Sequence, residues 1–197
     1  MSRRILVIVG HPDPDPKRLC RGLADAYAVA AEEAGHAVRR VDLANLDFPL
    51  LRTTEEFQHG SVPEGLRSAA EAIAWSEHIV FVFPLWLGTM PALVKAFLEQ
   101  VMRPGTAFGY PDGNGDGFGK PLLKGRSARI VVTMGMPALI YRLWYRGHGV
   151  SGLRRNILNF VGIKPVHETL FGAVEAAGDS RRSGWIQLMR KLGGTAR

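Results

Sequence analysis

Three stretches of the chain are apolar without interruption: residues 5–9 (Ile-Leu-Val-Ile-Val), 79–83 (Ile-Val-Phe-Val-Phe) and 130–132 (Ile-Val-Val). A strand with one wet face alternates apolar and polar residues, so unbroken runs belong to strands covered on both faces, which is the condition of inner strands in a parallel sheet. Two further segments, 37–41 and 166–171, mix Arg39, Arg40, His167 and Glu168 with Val and Leu, as edge strands do. The five together predict a sheet with three inner and two outer strands.

The intervening segments carry helical spacing. Leu19, Leu23, Ala26, Ala30 and Ala34 share one face of a first helix that begins near Lys17 and Arg18 and stops at Gly35. Leu66, Ala69, Ala70 and Ile73 mark a second, and a third opens at Pro91 with Leu93, Val94, Phe97, Leu98 and Val101 on its apolar face. Leu153, Ile157, Phe160 and Val161 give a fourth, and an amphipathic stretch from Trp185 to Leu192 closes the chain within a C-terminal helix and tail, 179–197. Alternating strands and helices imply a doubly wound α/β sheet with right-handed crossovers and helices on both faces. With the first, third and fourth strands inside, the order is 2-1-3-4-5, the flavodoxin-like arrangement, and residues 1–197 read as one such domain. Ligands of such a sheet bind beyond the carboxyl ends of the strands, between the first and third. The loops to inspect are therefore 11–17, 84–90 and 135–149.

The composition narrows the function classes. Of 197 residues 46% are hydrophobic and 22% charged, an ordinary globular balance. The single cysteine, Cys20, excludes an intrachain disulfide and makes the cytoplasm the expected compartment. The longest uncharged run, 79–94, is broken by Pro84, Gly88 and Pro91 and is too short to span a bilayer, and the N-terminus does not resemble a secretory leader. Net charge is +7, yet residues 1–119 hold 11 Lys/Arg against 15 Asp/Glu while 120–197 hold 14 against 3. A basic C-terminal third suits an anionic surface or a phosphorylated cofactor; with no helix-turn-helix, zinc or RNP pattern, no nucleic-acid partner is expected.

Several motifs fail on spacing. The glycine-rich stretch 109–120 lacks the dinucleotide fingerprint, lacks the Ser or Thr of a Walker loop at Pro121, and lacks the bidentate Glu of a calcium loop at Leu123. It is expected to be a mobile loop, a flap beside the site. The six histidines show no paired helical spacing, so no metal is expected, and no Gly-x-Ser-x-Gly elbow occurs. What remains is an anion site: the first strand runs into Gly10-His11-Pro12 and then a helix start with Lys17 and Arg18, where free N–H groups and the dipole favour a phosphate. After the third strand comes the rigid apolar loop Pro84-Leu85-Trp86-Leu87-Gly88-Thr89-Met90-Pro91, suited to a flat heterocycle. A phosphate and a flat ring at adjacent strand ends describe a flavin nucleotide.

These residues resemble the flavodoxin-like NAD(P)H:quinone oxidoreductases, a family that includes quinone reductases, drug-activity modulators and ancillary subunits of potassium efflux systems. The resemblance rests on Gly10-His11-Pro12, Phe83-Pro84-Leu85-Trp86, Met90-Pro91-Ala92-Leu93-Val94-Lys95, Ala107-Phe108-Gly109-Tyr110, Thr133-Met134-Gly135 and Ile157-Leu158-Asn159-Phe160-Val161-Gly162-Ile163. It implies that NAD(P)H gives hydride to flavin N5 and that a quinone or similar two-electron acceptor then takes the electrons. It implies that His11, Lys17, Arg18 and Leu19 hold the flavin phosphate, that Pro84, Leu85, Trp86 and Leu87 line the ring, and that Gly135 closes the other edge. Tyr141 and His148 correspond to the family's catalytic Tyr and His, and Phe108 and Tyr110 to the wall of a substrate slot often supplied by a second subunit, hence a homodimer. Arg18 stands where the family usually has a phosphate-binding Ser. Chain size favours FMN, with FAD the close alternative, and the basic residues near the mouth favour NADPH over NADH. The alternative reading is a regulatory or ancillary subunit whose basic C-terminal face, with Arg142, Arg146, Arg154 and Arg155, docks on a membrane transporter or other partner and whose flavin is mainly structural.

Overall fold

The computed structural model describes residues 2–110 and 119–197. The five expected strands appear as β1 (Arg4–Val9), β2 (Ala37–Asp42), β3 (His78–Pro84), β6 (Ser127–Met134) and β7 (Val166–Gly172), with a two-residue hairpin, β4 (Phe108–Gly109) and β5 (Lys120–Pro121), inserted before β6. The main sheet is wholly parallel in the order β2-β1-β3-β6-β7, which is the predicted 2-1-3-4-5 order of its five strands. All of β3 and β6 is buried and β1 is exposed only at Arg4, whereas β2 and β7 carry mixed patterns. The inner and outer assignment thus follows directly from which runs lack polar residues.

The helices are α1 (Leu19–Glu33), α2 (Thr54–His59), α3 (Arg67–Trp75), α4 (Ala92–Val101), α5 (Ala138–Leu143), α6 (His148–Gly152) and α7 (Asp179–Gly194); a wider π-type segment, Leu153–Leu158, continues α6. Alternation of side chains along the strands divides the core in two. Ile5, Val7, Val80, Val82 and Val131 face α1 and α7, where Leu23, Tyr27 and Met189 meet them, while Leu6, Ile8, Phe81, Phe83 and Ile130 face the layer containing α3 and α4. Gly10 ends β1 where a Cβ would lie 2.6 Å from Val94 Cγ2, so only glycine lets the first loop leave the strand against α4.

Differences from the sequence reading are local. The fourth helix begins earlier than its apolar residues suggested, whereas the last starts at Asp179, the expected start of the C-terminal helix and tail. The hairpin and α2 lie in stretches read without periodic structure. Residues 111–118, most of the glycine-rich stretch expected to be a mobile loop, lie outside the described residues.

Candidate functional site

Three inner strands deliver three loops to the carboxyl edge of the sheet, and a cavity of about 550 Å³ opens there between the loop after β1, the start of α1, the ends of β3 and β6, and the turn that follows β7. Its volume lies within the roughly 300–1,000 Å³ of small-molecule sites. His11, Lys17, Arg18, Leu19, Pro84, Leu85, Trp86 and Gly135, eight of the nine residues expected at a cofactor, line it together.

The first loop is braced from within. His11 Nδ1 accepts from the Asp13 N–H (3.0 Å), Asp13 Oδ1 from the Asp15 N–H (2.9 Å) and Asp15 Oδ1 from the Lys17 N–H (3.0 Å), a chain of short side-chain-to-backbone turns. Arg18 Nε donates to Asp13 Oδ2 (2.7 Å), and Arg21 donates to the Asp13 carbonyl (3.0 Å) while pairing with Asp42. Hydrogen bonding from the Asp15 N–H, and then the Arg18 guanidinium, hold the Asp13 carboxyl below its ordinary range. Burial, followed by the charge of Arg18, lowers the pKa of His11, so the ring is neutral at pH 7. With Nδ1 accepting, its proton sits on Nε2, a donor.

Arg18 is the N-cap residue of α1, and a guanidinium cannot accept a hydrogen bond, so no side chain caps the helix. The first-turn N–H groups, those of Leu19 and Cys20 among them, therefore face the cavity with the positive end of a 15-residue helix behind them. Cys20 is buried, its Sγ 3.2 Å from Thr133 Oγ1, which ties the start of α1 to the end of β6. Burial pushes its thiol up to about 11, so it stays protonated and unreactive.

After β3 the chain makes a tight turn in which Trp86 and Thr89 exchange N–H···O bonds (2.9 and 3.1 Å). Leu87 and Gly88 are both left-handed, with φ of 47° and 80°, the signature of a type I′ turn. Trp86 is half-buried and its ring meets His11 edge to face at 6.1 Å. The Leu87 side chain is fully exposed and is the one expected cofactor residue outside the cavity lining, because the turn that presents its backbone throws its side chain outward.

Tyr141 and His148 stand elsewhere. Tyr141, on α5, is 1% exposed; its hydroxyl donates to the Gly88 carbonyl (3.2 Å) and accepts from the Val150 N–H (3.1 Å), and burial raises its pKa. It clamps the turn after β3 to α6, where a Cβ on Gly149 would stand 2.1 Å from the Gly88 oxygen. His148 is exposed at the start of α6. Phe108 and Tyr110 pack edge to face (5.6 Å), and Phe108 also meets Phe160 (5.0 Å). Phe108 borders a separate groove of about 180 Å³ with α4 and the π-type segment, so within one chain neither aromatic reaches the main cavity.

The sequence reading missed Asp13, Cys20, Thr133, Met134, Val174, Glu175 and Arg182 of the lining. Glu175 and Arg182 come from the turn after β7 and the first turns of α7, a fourth loop at the same sheet edge. The strand order placed that loop there, so topology carried the signal although no motif did. Among the described residues no three His, Cys, Asp or Glu side chains gather as a metal site.

A family described as having a flavodoxin-like fold matches residues 3–190. The chain belongs to this flavodoxin-like family. A relative in Haemophilus influenzae, an uncharacterized NAD(P)H oxidoreductase, is 28% identical over 187 residues, 93% of this chain and 90% of its own length. An FMN-dependent NADH:quinone oxidoreductase of Ruegeria pomeroyi is 28% identical over 152 residues, covering 69% of this chain and 72% of that protein. Among solved structures, an NAD(P)H:quinone oxidoreductase from Methanothermobacter marburgensis superposes with a TM-score of 0.80 at 23% identity, over all of this chain and 98% of that one, a likeness of the flavodoxin-like fold.

Proposed function

We propose that this flavodoxin-like protein is a flavin-dependent NAD(P)H oxidoreductase that binds FMN at the carboxyl edge of the sheet and reduces quinones or similar two-electron acceptors. The uncapped first turn of α1, opening on a cavity of about 550 Å³, carries this reading. Arginine leaves the helix donors to a ligand where Ser or Asp would have consumed one. A dianionic phosphate fits there: the N–H groups of Leu19 and Cys20, the cations of Lys17 and Arg18, and the Nε2–H of His11 would hold it. The names of the Haemophilus influenzae and Ruegeria pomeroyi relatives support the same chemistry.

Bound FMN would supply a ring that accepts hydride from a nicotinamide and passes two electrons onward. The chain's own residues do the rest. Pro84, Leu85 and Trp86 present an apolar wall and a backbone edge for the ring, and the Leu87 and Gly88 N–H groups, which make no hydrogen bond among the described residues, are donors for developing negative charge. Gly135 keeps the opposite edge open beside Glu175, with 3.4 Å between a Cβ placed there and that carboxylate. Tyr141 fixes the turn, so that its donors are held in place before reaction.

In this reading the protein works as a cytoplasmic homodimer, where NAD(P)H is present, with Phe108 and Tyr110 walling the acceptor slot of the second subunit and Tyr141 and His148 contributing to catalysis. FMN is preferred to FAD, and NADPH to NADH because Arg182 and Lys17 add cations to the cavity rim. The absorption spectrum of the purified protein, with and without added FMN or FAD and then with NADPH or NADH in the absence of air, tests the proposal. Flavin bands that bleach with nucleotide and return with a quinone are the expected result; no flavin under any loading condition overturns it.

One observation favours the ancillary-subunit reading. On and after α5, Leu139, Leu143 and Trp144 are 67%, 71% and 81% exposed beside the exposed Arg142 and Arg146, an apolar and basic patch fit for a membrane-associated partner. Negligible turnover by flavin-loaded protein, with co-purification of a membrane partner, would select it.

A further inference from the structure

The pole of the sheet opposite the flavin cavity, where β1, β3 and β6 begin, holds a second recess of about 240 Å³. Arg3, His78, Arg126, Lys164, His167 and Arg197 supply every ionisable side chain that lines it, and no Asp or Glu is among them. The nearest acid in sequence, Glu77, is turned to Arg4, whose N–H it accepts at 2.9 Å and whose guanidinium lies 3.6 Å away. Among the described residues none of Arg3, Arg126, Lys164 or Arg197 forms an ion pair with a carboxylate. Glu77 offsets part of the Arg3 charge, and the other side-chain cations of the recess repel one another unless something negative joins them.

The lining also has donors with nothing to donate to. His78 is 1% exposed; its Nδ1 lies 2.8 Å from Ser127 Oγ, which in turn accepts from Arg3 Nη2 at 3.1 Å. We assign Ser127 as the donor to Nδ1, which places the His78 proton on Nε2, and Nε2 is buried without a partner. Arg126 Nε is likewise buried and unpartnered, although its Nη2 donates to the Ala74 carbonyl (2.6 Å). Behind the recess Arg129 Nε and the Tyr27 hydroxyl, whose ring stacks 6.5 Å from His78, repeat the pattern. Buried unmatched donors at the floor of a recess rimmed by Arg3, Arg126, Lys164 and Arg197 are the complement of an anion with several acceptor oxygens.

We propose that this recess binds a phosphate-class oxyanion, inorganic phosphate or the phosphate group of a small phosphomonoester, held by Arg3, Arg126 and Lys164 with His78 Nε2–H as the buried donor. Its volume is below the roughly 300 Å³ at which sites for larger organic ligands begin, so a nucleotide is excluded and a single phosphate group with a small substituent fits. The site is independent of flavin. Arg3 also donates to the Ala196 carbonyl (3.0 Å), just beyond α7, so an anion here fastens the end of that helix to the start of the sheet.

Side-chain 1H–15N spectra of the histidine rings test this on the full chain as purified, titrated with sodium phosphate at constant pH and constant ionic strength set with sodium chloride. His78 and His167 report the recess and His11 reports the flavin cavity, so phosphate bound at the helix α1 start is read separately and the outcome does not depend on whether flavin binds. Saturable shifts of His78 and His167 with one common Kd are expected, and Arg126→Gln with Lys164→Gln should weaken that Kd at least about tenfold while the signal of His59, on α2, is unmoved. Methyl phosphate as a second probe separates the sources: binding by both admits an ester, binding by phosphate alone restricts the site to the free oxyanion. No saturable shift at His78 up to about 50 mM phosphate, the same shift with chloride alone, or an unchanged Kd in the double variant overturns the proposal.

Discussion

Replacing Tyr141 by Phe removes one oxygen and tests whether the turn after β3 is held from behind. In the wild-type chain that oxygen serves two backbone groups, accepting from the buried Val150 N–H and donating to the Gly88 carbonyl. The two losses are unequal. Gly88 sits in an exposed turn and its carbonyl regains water, so its net loss is about 0.5 kcal/mol, whereas the Val150 N–H has no other acceptor and pays a desolvation cost of about 1–3 kcal/mol. Because the ring keeps its packing, no cavity contribution is added. We expect a destabilisation of about 2 kcal/mol, and for a chain of this length a fall in Tm of about 4–8 °C. Urea unfolding followed by tryptophan fluorescence reads it as a lower midpoint at unchanged slope. A loss below about 0.5 kcal/mol would refute the clamp, since it would mean that water reaches Val150 or that the two bonds are not formed in solution. Turnover of the flavin-loaded variant, measured well below its Tm, separates the clamp from a catalytic role: a fall in kcat exceeding tenfold assigns the hydroxyl to the reaction, as the family resemblance implies, and a change confined to stability leaves it the clamp.

Gly149→Ala should be more damaging, by about 3 kcal/mol, because the new methyl meets the Gly88 oxygen at 2.1 Å and must push the turn or α6 aside; flavin affinity, read by fluorescence quenching, should fall with it. Arg18→Ser gives α1 a cap and should stabilise the flavin-free protein by about 1 kcal/mol while weakening FMN at least several-fold, and equal or tighter FMN binding would remove Arg18 from the phosphate site. Acid should destabilise the fold through His78. Burial first, then Arg3, Arg129 and His167, push its pKa down to about 3. The unfolded chain therefore binds an extra proton between pH 6.5 and 3, and stability falls with falling pH across that window by at most about 1.4 kcal/mol per unit. The ring is surrounded by Arg3, Ser127, Arg129, His167, Tyr27 and Arg197, with no carboxylate lining the recess to offset this. Chemical denaturation at pH 7 and pH 5 should show a smaller difference in His78→Gln than in wild type, and equal differences would place the acid sensitivity elsewhere.

The order of the sheet was legible because it depends on burial, and burial on both faces leaves a mark no solvent-facing segment imitates: after His78, six apolar residues in a row, Ile79–Pro84, complete β3. The first helix and its loop were legible for a related reason, since Gly10, Pro12 and the apolar stripe from Leu19 each restrict the backbone locally. Helix α2 was not, although Thr53 and Glu56 form the T-x-x-E start signal and Thr53 Oγ1 accepts from the Glu56 N–H at 3.1 Å; its six residues are largely exposed and offered no apolar face to confirm the cap. The expected residues that line the cavity are those on loops that begin with a strand end, where direction is fixed. The exposed side chain of Leu87 was not legible, because the type I′ turn that turns it outward is not announced by Gly88 alone. Tyr141 could be matched to a family position, but its two partners lie 53 and 9 residues away in sequence, and only the packed chain shows that the hydroxyl is already engaged.

The charge asymmetry takes on physical meaning once the basic residues are located. The excess of the C-terminal third is not one face: Arg126, Lys164 and Arg197 converge with Arg3 on the recess at the lower pole, Arg142 and Arg146 flank the exposed apolar side of α5, and Arg182 reaches the cavity at the carboxyl edge of the sheet from α7. Partner by partner, these groups answer to different chemistry. Arg182 is held by the Ala177 and Val174 carbonyls and shares its cavity with Glu175, so its charge is partly answered within the chain. Arg154 is answered by Glu168 at 3.1 Å. The recess at the lower pole gathers exposed and half-buried cations around the buried His78 with no Asp or Glu in its lining, which is why an added oxyanion should shift His78 and His167 before it shifts His59 or His148. Salt dependence follows from the same division. Screening acts over a Debye length of about 10 Å at 0.1 M, so the exposed arginines near α5 should lose their attraction for an anionic partner in moderate salt while a buried phosphate, bonded directly to guanidinium and imidazole donors, should persist.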